Sequence, residues 1–183
     1  MNKILTLLFI GLLNFTNHAL SDEKILSSLN EGKKLIFIRH AIAPGNGDPD
    51  NFNIKDCSTQ RNLSKSGINQ SKKIGLFFKN NKIKIDKVLS SEWCRCKDTA
   101  KYAFKNFETF SALNSFYDER FSKNETKQIN DLKKYVKKWN SDKNLVLVTH
   151  FVVISSILKT SSSSGEIIIS DKNYNILGSI NTL

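Results

Sequence analysis

The stretch Lys34-Leu-Ile-Phe-Ile-Arg39-His40-Ala41-Ile-Ala-Pro-Gly-Asn46 decides how this chain is read. Its short isoleucine-rich run, bounded by polar residues, predicts a strand over 34–39 that is covered on both faces, as in a parallel sheet. The strand ends in Arg39-His40 and passes straight into a Pro-Gly-Asn-Gly-Asp-Pro loop. Open α/β sheets bind ligands just beyond the carboxyl ends of their strands. A guanidinium and an imidazole at that point are placed to hold an anion and to attack it.

Working outward, the pattern repeats. Lys84–Ser90 reads as a second strand ending at Ser90-Ser91, followed by a helix from about Glu92 to Phe104 with Arg95 in its first turn. Asn144–Thr149 is the strongest buried-strand signal and runs into His150, with a short helix expected over Val152–Leu158. Between these units lies a long polar loop, Ala43–Gln60, of the kind that carries function in compact domains. Ser64 is the expected N-cap of the next helix, with Ile68, Ser71, Gly75 and Phe78 on its sheet-facing side. Residues 105–124 read as irregular, and Thr126–Trp139 as an amphipathic helix with Leu132, Tyr135, Val136 and Trp139 on the apolar side. A short helix over Glu23–Asn30, capped by Asp22 and stopped near Gly32, precedes the first strand. Ser161–Ser164 reads as a flexible linker to a terminal hairpin, Gly165–Ile169 and Tyr174–Ile180, turning at Asp171-Lys-Asn173. Strands alternating with helices predict a three-layer α/β/α sandwich on a mainly parallel central sheet, in one domain over 22–183.

The first 21 residues stand apart. A basic start at Lys3, an apolar run over Ile4–Phe15 and the small-x-small site Ala19-Leu20-Ser21 predict a secretory signal peptide over 1–21. The expectation is therefore an exported protein, periplasmic or secreted. A membrane span needs about 20 apolar residues, so no stable membrane anchor is expected. Loss of that segment removes one charge, Lys3, and takes the formal net charge from +11 to +10. Such a balance favours anionic partners; the lysines of Thr126–Trp139 fit a solvated helix face, and no nucleic acid is expected. Nothing in the sequence fixes the oligomeric state.

Only four of the 28 basic residues are arginine: Arg39, Arg61, Arg95 and Arg120. Where lysine is the default cation, an arginine marks a position that needs the planar, bidentate guanidinium. The three cysteines, Cys57, Cys94 and Cys96, predict in an oxidising compartment a disulfide from Cys57 to either Cys94 or Cys96. Zinc normally takes four N or S ligands, and only His40 and His150 remain after residue 21, so neither a metal nor a cofactor is expected.

If the strands are parallel, Arg39-His40, Arg95 and His150 gather at one edge of the sheet. Four segments then resemble, in order, the signatures of the histidine phosphatase (phosphoglycerate mutase-like) superfamily. Arg39-His40-Ala41 with Asn46 is similar to its R-H-G/A-x-x-x-x-N motif, with alanine where many members have glycine. Arg61-Asn-Leu-Ser-Lys-Ser-Gly67 resembles its R-x-L-[ST]-x-x-G segment, Ser90 to Ala100 its S-x-x-x-R-x-x-x-T-A helix, and Val148-Thr149-His150 its second-histidine strand. Tyr117-Asp118-Glu119-Arg120 resembles the mutases' acid motif, without its following glycine.

The resemblance implies a phosphoglycerate mutase-like fold and a metal-independent phosphatase. In it His40 is the nucleophile that forms a phosphohistidine, and Arg39, Arg95 and a protonated His150 neutralise the phosphoryl oxygens. Asn46 reaches the phosphoryl group from the loop, and Glu119 protonates the leaving group, with Asp118 as its rival. Arg61 and Arg120 order the pocket wall or contact substrate, and Glu166 serves structure. The physics is compatible: a neutral imidazole with one nitrogen held as N–H is a competent nucleophile, and phosphoryl transfer asks chiefly for positioning and charge neutralisation. The implied partner is a small-molecule or glycan phosphate ester, and export with a basic surface favours phosphorylated envelope sugars. The alternative is a phosphate- or polyanion-binding envelope protein that keeps the pocket without turnover.

Overall fold

The computed structural model describes residues 23–183. The expected signal peptide and the Asp22 cap lie outside the described residues. Helix α1 covers residues 23–31. It is followed by β1 (Leu35–Arg39), α2 (Lys65–Asn80), β2 (Ile85–Ser90), α3 (Cys94–Phe104) and β3 (Glu108–Thr109). Then come α4 (Glu119–Ser122), α5 (Glu125–Lys138), β4 (Asn144–Thr149), α6 (Phe151–Leu158), β5 (Ile167–Ser170) and β6 (Ile176–Ile180). Short 3-10 turns lie at Cys57–Thr59 and Ser111–Leu113.

The six strands form one sheet in the order β3-β2-β4-β1-β5-β6. The first four are mutually parallel, while β5 and β6 are antiparallel additions. Alternation along the strands sorts the core into two faces. Leu35, Phe37, Leu145 and Leu147 face one way, onto Leu132 and Val136 of α5 and Val153, Ile154 and Ile157 of α6. Ile36, Ile38, Val146 and Val148 face the other way, onto Leu29 of α1, Ile74 and Phe78 of α2, and Cys96 and Ala100 of α3. Strands β1 and β4 are thus covered on both sides, which is why they read as unbroken apolar runs. The three-layer α/β/α sandwich is present, and only β5 runs against the other five strands of the sheet.

The details differ from the sequence reading at three places. Ser64 caps α2 through its hydroxyl, which accepts from the Gly67 amide at 3.0 Å. The buried side of α2, however, is Gly67, Gln70, Ser71, Ile74 and Phe78, rotated from the expected one. Gly67 lies so close to the Ile42 carbonyl that an added Cβ would stand 2.1 Å from its oxygen. Residues 105–124 are not irregular: they hold β3, a 3-10 turn and α4. Too short to show a period, these pieces are invisible to pattern reading. Finally, Ser161–Ser164 is no loose linker: Ser162 is buried and the Ser162 and Ser164 carbonyls accept from Arg39 and Gln70.

Candidate active site

The parallel arrangement brings the carboxyl ends of β1, β2 and β4 to one edge, and a cavity of about 70 Å³ opens there. Arg39 and His40 enter it from the end of β1, Arg95 from the first turn of α3, and His150 from the end of β4. His40 and His150 are each only 2% exposed, and their rings meet edge to face at 5.4 Å between centroids. The loop after β1 closes one side with Asn46, Gly47 and Asp48. Trp93, Tyr117, Phe121 and Phe151 form an aromatic rim.

The geometry defines the tautomers. His40 Nδ1 lies 2.9 Å from its neighbour Ala41's carbonyl and must carry the proton to donate there. Nε2 is then left with its lone pair. The backbone at Ala41 is itself fixed, since its amide donates to Thr99 Oγ1 at 3.0 Å and that hydroxyl donates to the Arg95 carbonyl. His150 Nε2 lies 2.9 Å from Ser91 Oγ, whose own proton goes to Asn114 Oδ1 at 3.1 Å. The His150 Nε2–H is therefore the donor in that contact.

Burial, followed by the nearby Arg95 charge, pushes both imidazoles well below the ordinary histidine range. Both are neutral at pH 7. This suits His40 as a nucleophile; His150 is an uncharged imidazole in the free site, and the protonated form expected beside a phosphoryl group belongs to the bound state.

The arginines divide into two kinds. Arg39 donates through Nη1 to the Ser162 carbonyl at 2.6 Å and lies over the Phe151 ring. Its Nε, like that of Arg95, is buried without a hydrogen-bond partner among the described residues. An orphaned buried donor costs about 1–3 kcal/mol, and two of them beside one cavity point to an anion. Arg61 instead braces the loop, donating to the Gly47 carbonyl at 2.9 Å and to the Ala43 carbonyl. Arg120 lies outside the cavity lining, clasps Asp118 bidentately, and donates to the Asp50 carbonyl at 3.0 Å. Both arginines brace the loop, and Arg61 also lines the cavity, where the expected contact with substrate stays open to it.

Sequence reading missed Asp48. Its carboxylate takes both ends of the Arg95 fork, at 2.8 and 3.1 Å, and also accepts from the Arg61 amide at 3.0 Å and the Trp93 indole at 3.0 Å. The side chains of this pair are 3% and 8% exposed. Burial pushes the Asp48 carboxyl up, and the hydrogen bonds and charge of Arg95 outweigh it, leaving the group below the usual carboxylate range. The only hint in the sequence was an acid within a loop already marked as functional.

The expected proton donor fares differently. Glu119 is exposed at the start of α4 and is not among the residues lining the cavity. Asp118 does line it, but as the N-cap of α4, held by Arg120 at about 2. Asn46 is exposed at the mouth, 3.3 Å from the Tyr117 hydroxyl. Glu166 binds the Ser163 amide.

Of the two cysteine pairings left open, the structure has Cys57–Cys94. It ties the loop to the first residue of α3, beside Arg95. Cys96, in the same first turn of α3 but on its core face, is buried, and its thiol is pushed up to about 12 by that burial.

No family model matches the sequence, and no curated protein matches it. Solved structures do match by fold. The protein histidine phosphatase SixA complexed with tungstate matches with a TM-score of 0.57 at 14% identity, over 81% of this chain and 97% of that one. Phosphoglycerate mutase from Thermus thermophilus matches with a TM-score of 0.59 at 14% identity, over 81% and 98%. A mycobacterial glucosyl-3-phosphoglycerate phosphatase complexed with VO3 matches with a TM-score of 0.54 at 14% identity, over 75% and 92%. The chain has the histidine phosphatase, phosphoglycerate mutase-like fold.

Proposed function

We propose that this chain is a metal-independent phosphatase that hydrolyses a phosphate monoester through a phosphohistidine on His40. The observation that carries the proposal is the buried imidazole pair, held neutral, beside two arginines whose Nε–H groups lack partners. His40 Nε2 attacks phosphorus, Arg39 and Arg95 take the equatorial oxygens, and His150, whose ring meets that of His40 edge to face, flanks the phosphoryl group. A phosphate dianion would favour the charged form of His150, so uptake of a proton from solvent by that ring on binding, and its return on product release, are part of the reading. Two of the proteins with this fold are complexed with tungstate or VO3, anions that imitate a phosphoryl group. The signal-like segment 1–21 and the net positive charge support an exported enzyme acting on phosphorylated envelope sugars.

The test is hydrolysis of 4-nitrophenyl phosphate in the presence of a chelator. Activity should persist with chelator, disappear in His40→Ala, and leave an acid-labile phosphoenzyme on rapid quench. One observation favours the alternative of a binding protein without turnover: the Arg95 fork is already filled by Asp48. That reading predicts vanadate binding with no hydrolysis of any ester.

A further inference from the structure

We propose that Asp48 is the proton donor of the reaction, held on Arg95 in the free site and released when the phosphoryl group takes that guanidinium. The inference rests on the phosphatase reading and fills the one role the expected residues leave empty. Two carboxylates line the cavity, Asp48 and Asp118. Asp118 is committed to Arg120 and to the α4 N-terminus, on the exposed side of the mouth. Asp48 lines the cavity with the two histidines and holds Arg95 through Nη1 and Nη2, so a phosphate that binds the guanidinium bidentately through the orphaned Nε and Nη2 must take Nη2 from it.

Exchange at the fork changes the acid's character. The groups facing Asp48 are Arg95, the Arg61 amide and guanidinium, the Trp93 indole and, across the cavity, His40 and His150. Arg95 is the dominant group holding it ionised, against burial that works the other way. Once Arg95 turns to the phosphoryl oxygens, a dianion replaces a cation as nearest neighbour and burial acts unopposed. Both influences favour the protonated carboxyl. Arg61 pins the carbonyls of Ala43 and Gly47 on either side of the turn. In the proposal the Asp48 side chain turns on that held loop, with the Trp93 indole N–H, 3.0 Å away in the free site, as its neighbouring donor. The left-handed turns at Gly45 (φ +93°) and Gly47 (φ +66°) let the chain double back and place Asp48 over the cavity at all.

The step balances as follows. An ester arriving as the monoanion, whose second pKa is about 6, passes its proton to the released Asp48 carboxylate. The His40 Nε2 lone pair forms the N–P bond, the ester P–O bond breaks, and its electron pair leaves with the alkoxide oxygen, which takes the Asp48 proton. In the second half, Asp48 removes a proton from water, the water oxygen attacks phosphorus, and the N–P bond breaks with its pair returning to Nε2; the Asp48 carboxyl then gives that proton to the phosphate, which leaves as the monoanion, and the carboxylate returns to Arg95. Alcohol and inorganic phosphate are the products.

Asp48→Asn is compared with wild type on 4-nitrophenyl phosphate, whose leaving group departs without a proton, and on glycerol phosphate, whose leaving group needs one. Loss of a general acid is worth about 10²–10⁴ in rate. The expected result is a loss of at least about 100-fold in kcat on glycerol phosphate, under about tenfold on the aryl ester, and vanadate affinity equal to or tighter than wild type. Equal losses on both esters with weaker vanadate binding would make Asp48 a strut for Arg95 and overturn the proposal. Gains on both esters would make it a simple competitor and overturn it too. A second measurement avoids dependence on the variant's folding: across alkyl and aryl phosphates, wild-type kcat/KM should vary little with leaving-group pKa, and a steep decline denies any donor. If wild type hydrolyses neither ester, the phosphatase reading falls and takes this proposal with it. If it hydrolyses both and Asp48→Asn does not discriminate, this proposal alone falls.

Discussion

Removing the Cys57–Cys94 bridge should weaken both the fold and the site, and the size of the first effect can be worked out. The bridge closes a loop with a sequence separation of 37 residues. The chain-entropy relation gives about 13 cal/mol/K for that length, or about 4 kcal/mol at 25 °C, as an upper value for the stability lost. The double variant Cys57→Ala/Cys94→Ala avoids leaving a thiol free to exchange with Cys96. For a domain of this size a urea m-value of about 2 kcal/mol/M is reasonable, so the unfolding midpoint should fall by up to about 2 M. Cys94 opens α3 and Cys57 belongs to the loop that carries Asp48. The folded variant should therefore also show a raised KM for the aryl ester. A midpoint shift below about 0.3 M with an unchanged KM would refute the reasoning, because the loop would then be held entirely by contacts such as Gln60 Oε1 with the Cys94 amide.

Other outcomes follow from particular contacts. His40 and His150 sit below their unfolded pKa of about 6.5, so in the window between the folded and unfolded values the unfolded chain binds more protons. Stability is full above pH 6.5 and is lost as pH falls below it, by up to about 1.4 kcal/mol per pH unit for each ring; urea midpoints from pH 7.5 to 5 should fall, and a flat profile would contradict burial of neutral rings. Thr99→Val leaves the Ala41 amide without its acceptor, and thermal unfolding should register a loss of about 1–3 kcal/mol. Gly67→Ala forces a Cβ against the Ile42 carbonyl, and should cost about 1–3 kcal/mol while displacing the segment that follows His40. Cys96, buried and pushed up to about 12, should resist iodoacetamide in the native protein at pH 8 and be the single cysteine labelled after unfolding without reductant.

The parts legible in the sequence were those with a period or a punctuating residue. Ile36, Ile38, Val146 and Val148 announce doubly covered strands because both of their faces are apolar, and a strand so placed must be central. The Asp171-Lys-Asn173 turn marked the β5–β6 hairpin for a local reason: Asp171 accepts from the amides of Asn173 and Asn175. What could not be read depends on contacts between distant segments. Cys94 and Cys96 differ by two positions, yet their side chains leave opposite sides of the first turn of α3, one toward the loop and one into the core. Asp48 reads as an ordinary loop acid until Arg95 and Trp93 arrive from 47 and 45 residues away. Gln70 gave no signal either, although it links the Ile42 amide, the Ser164 carbonyl and Thr182 in one side chain. Glu119 lies exposed at the start of α4 and outside the cavity lining, because a motif transfers residue types without transferring the direction of a four-residue helix.

The exposed Asn46–Gly47 peptide has a consequence for the handling of the protein. An asparagine followed by glycine, whose missing side chain leaves the next amide unhindered, is the sequence most prone to cyclise to a succinimide and open as aspartate or isoaspartate. Here that conversion would place a new negative charge at the mouth of the cavity proposed to bind a phosphoryl group. Stored samples should therefore lose phosphate affinity gradually, in step with the deamidation measured by mass on the peptide that contains Asn46, while the fold and the Cys57–Cys94 bridge remain intact.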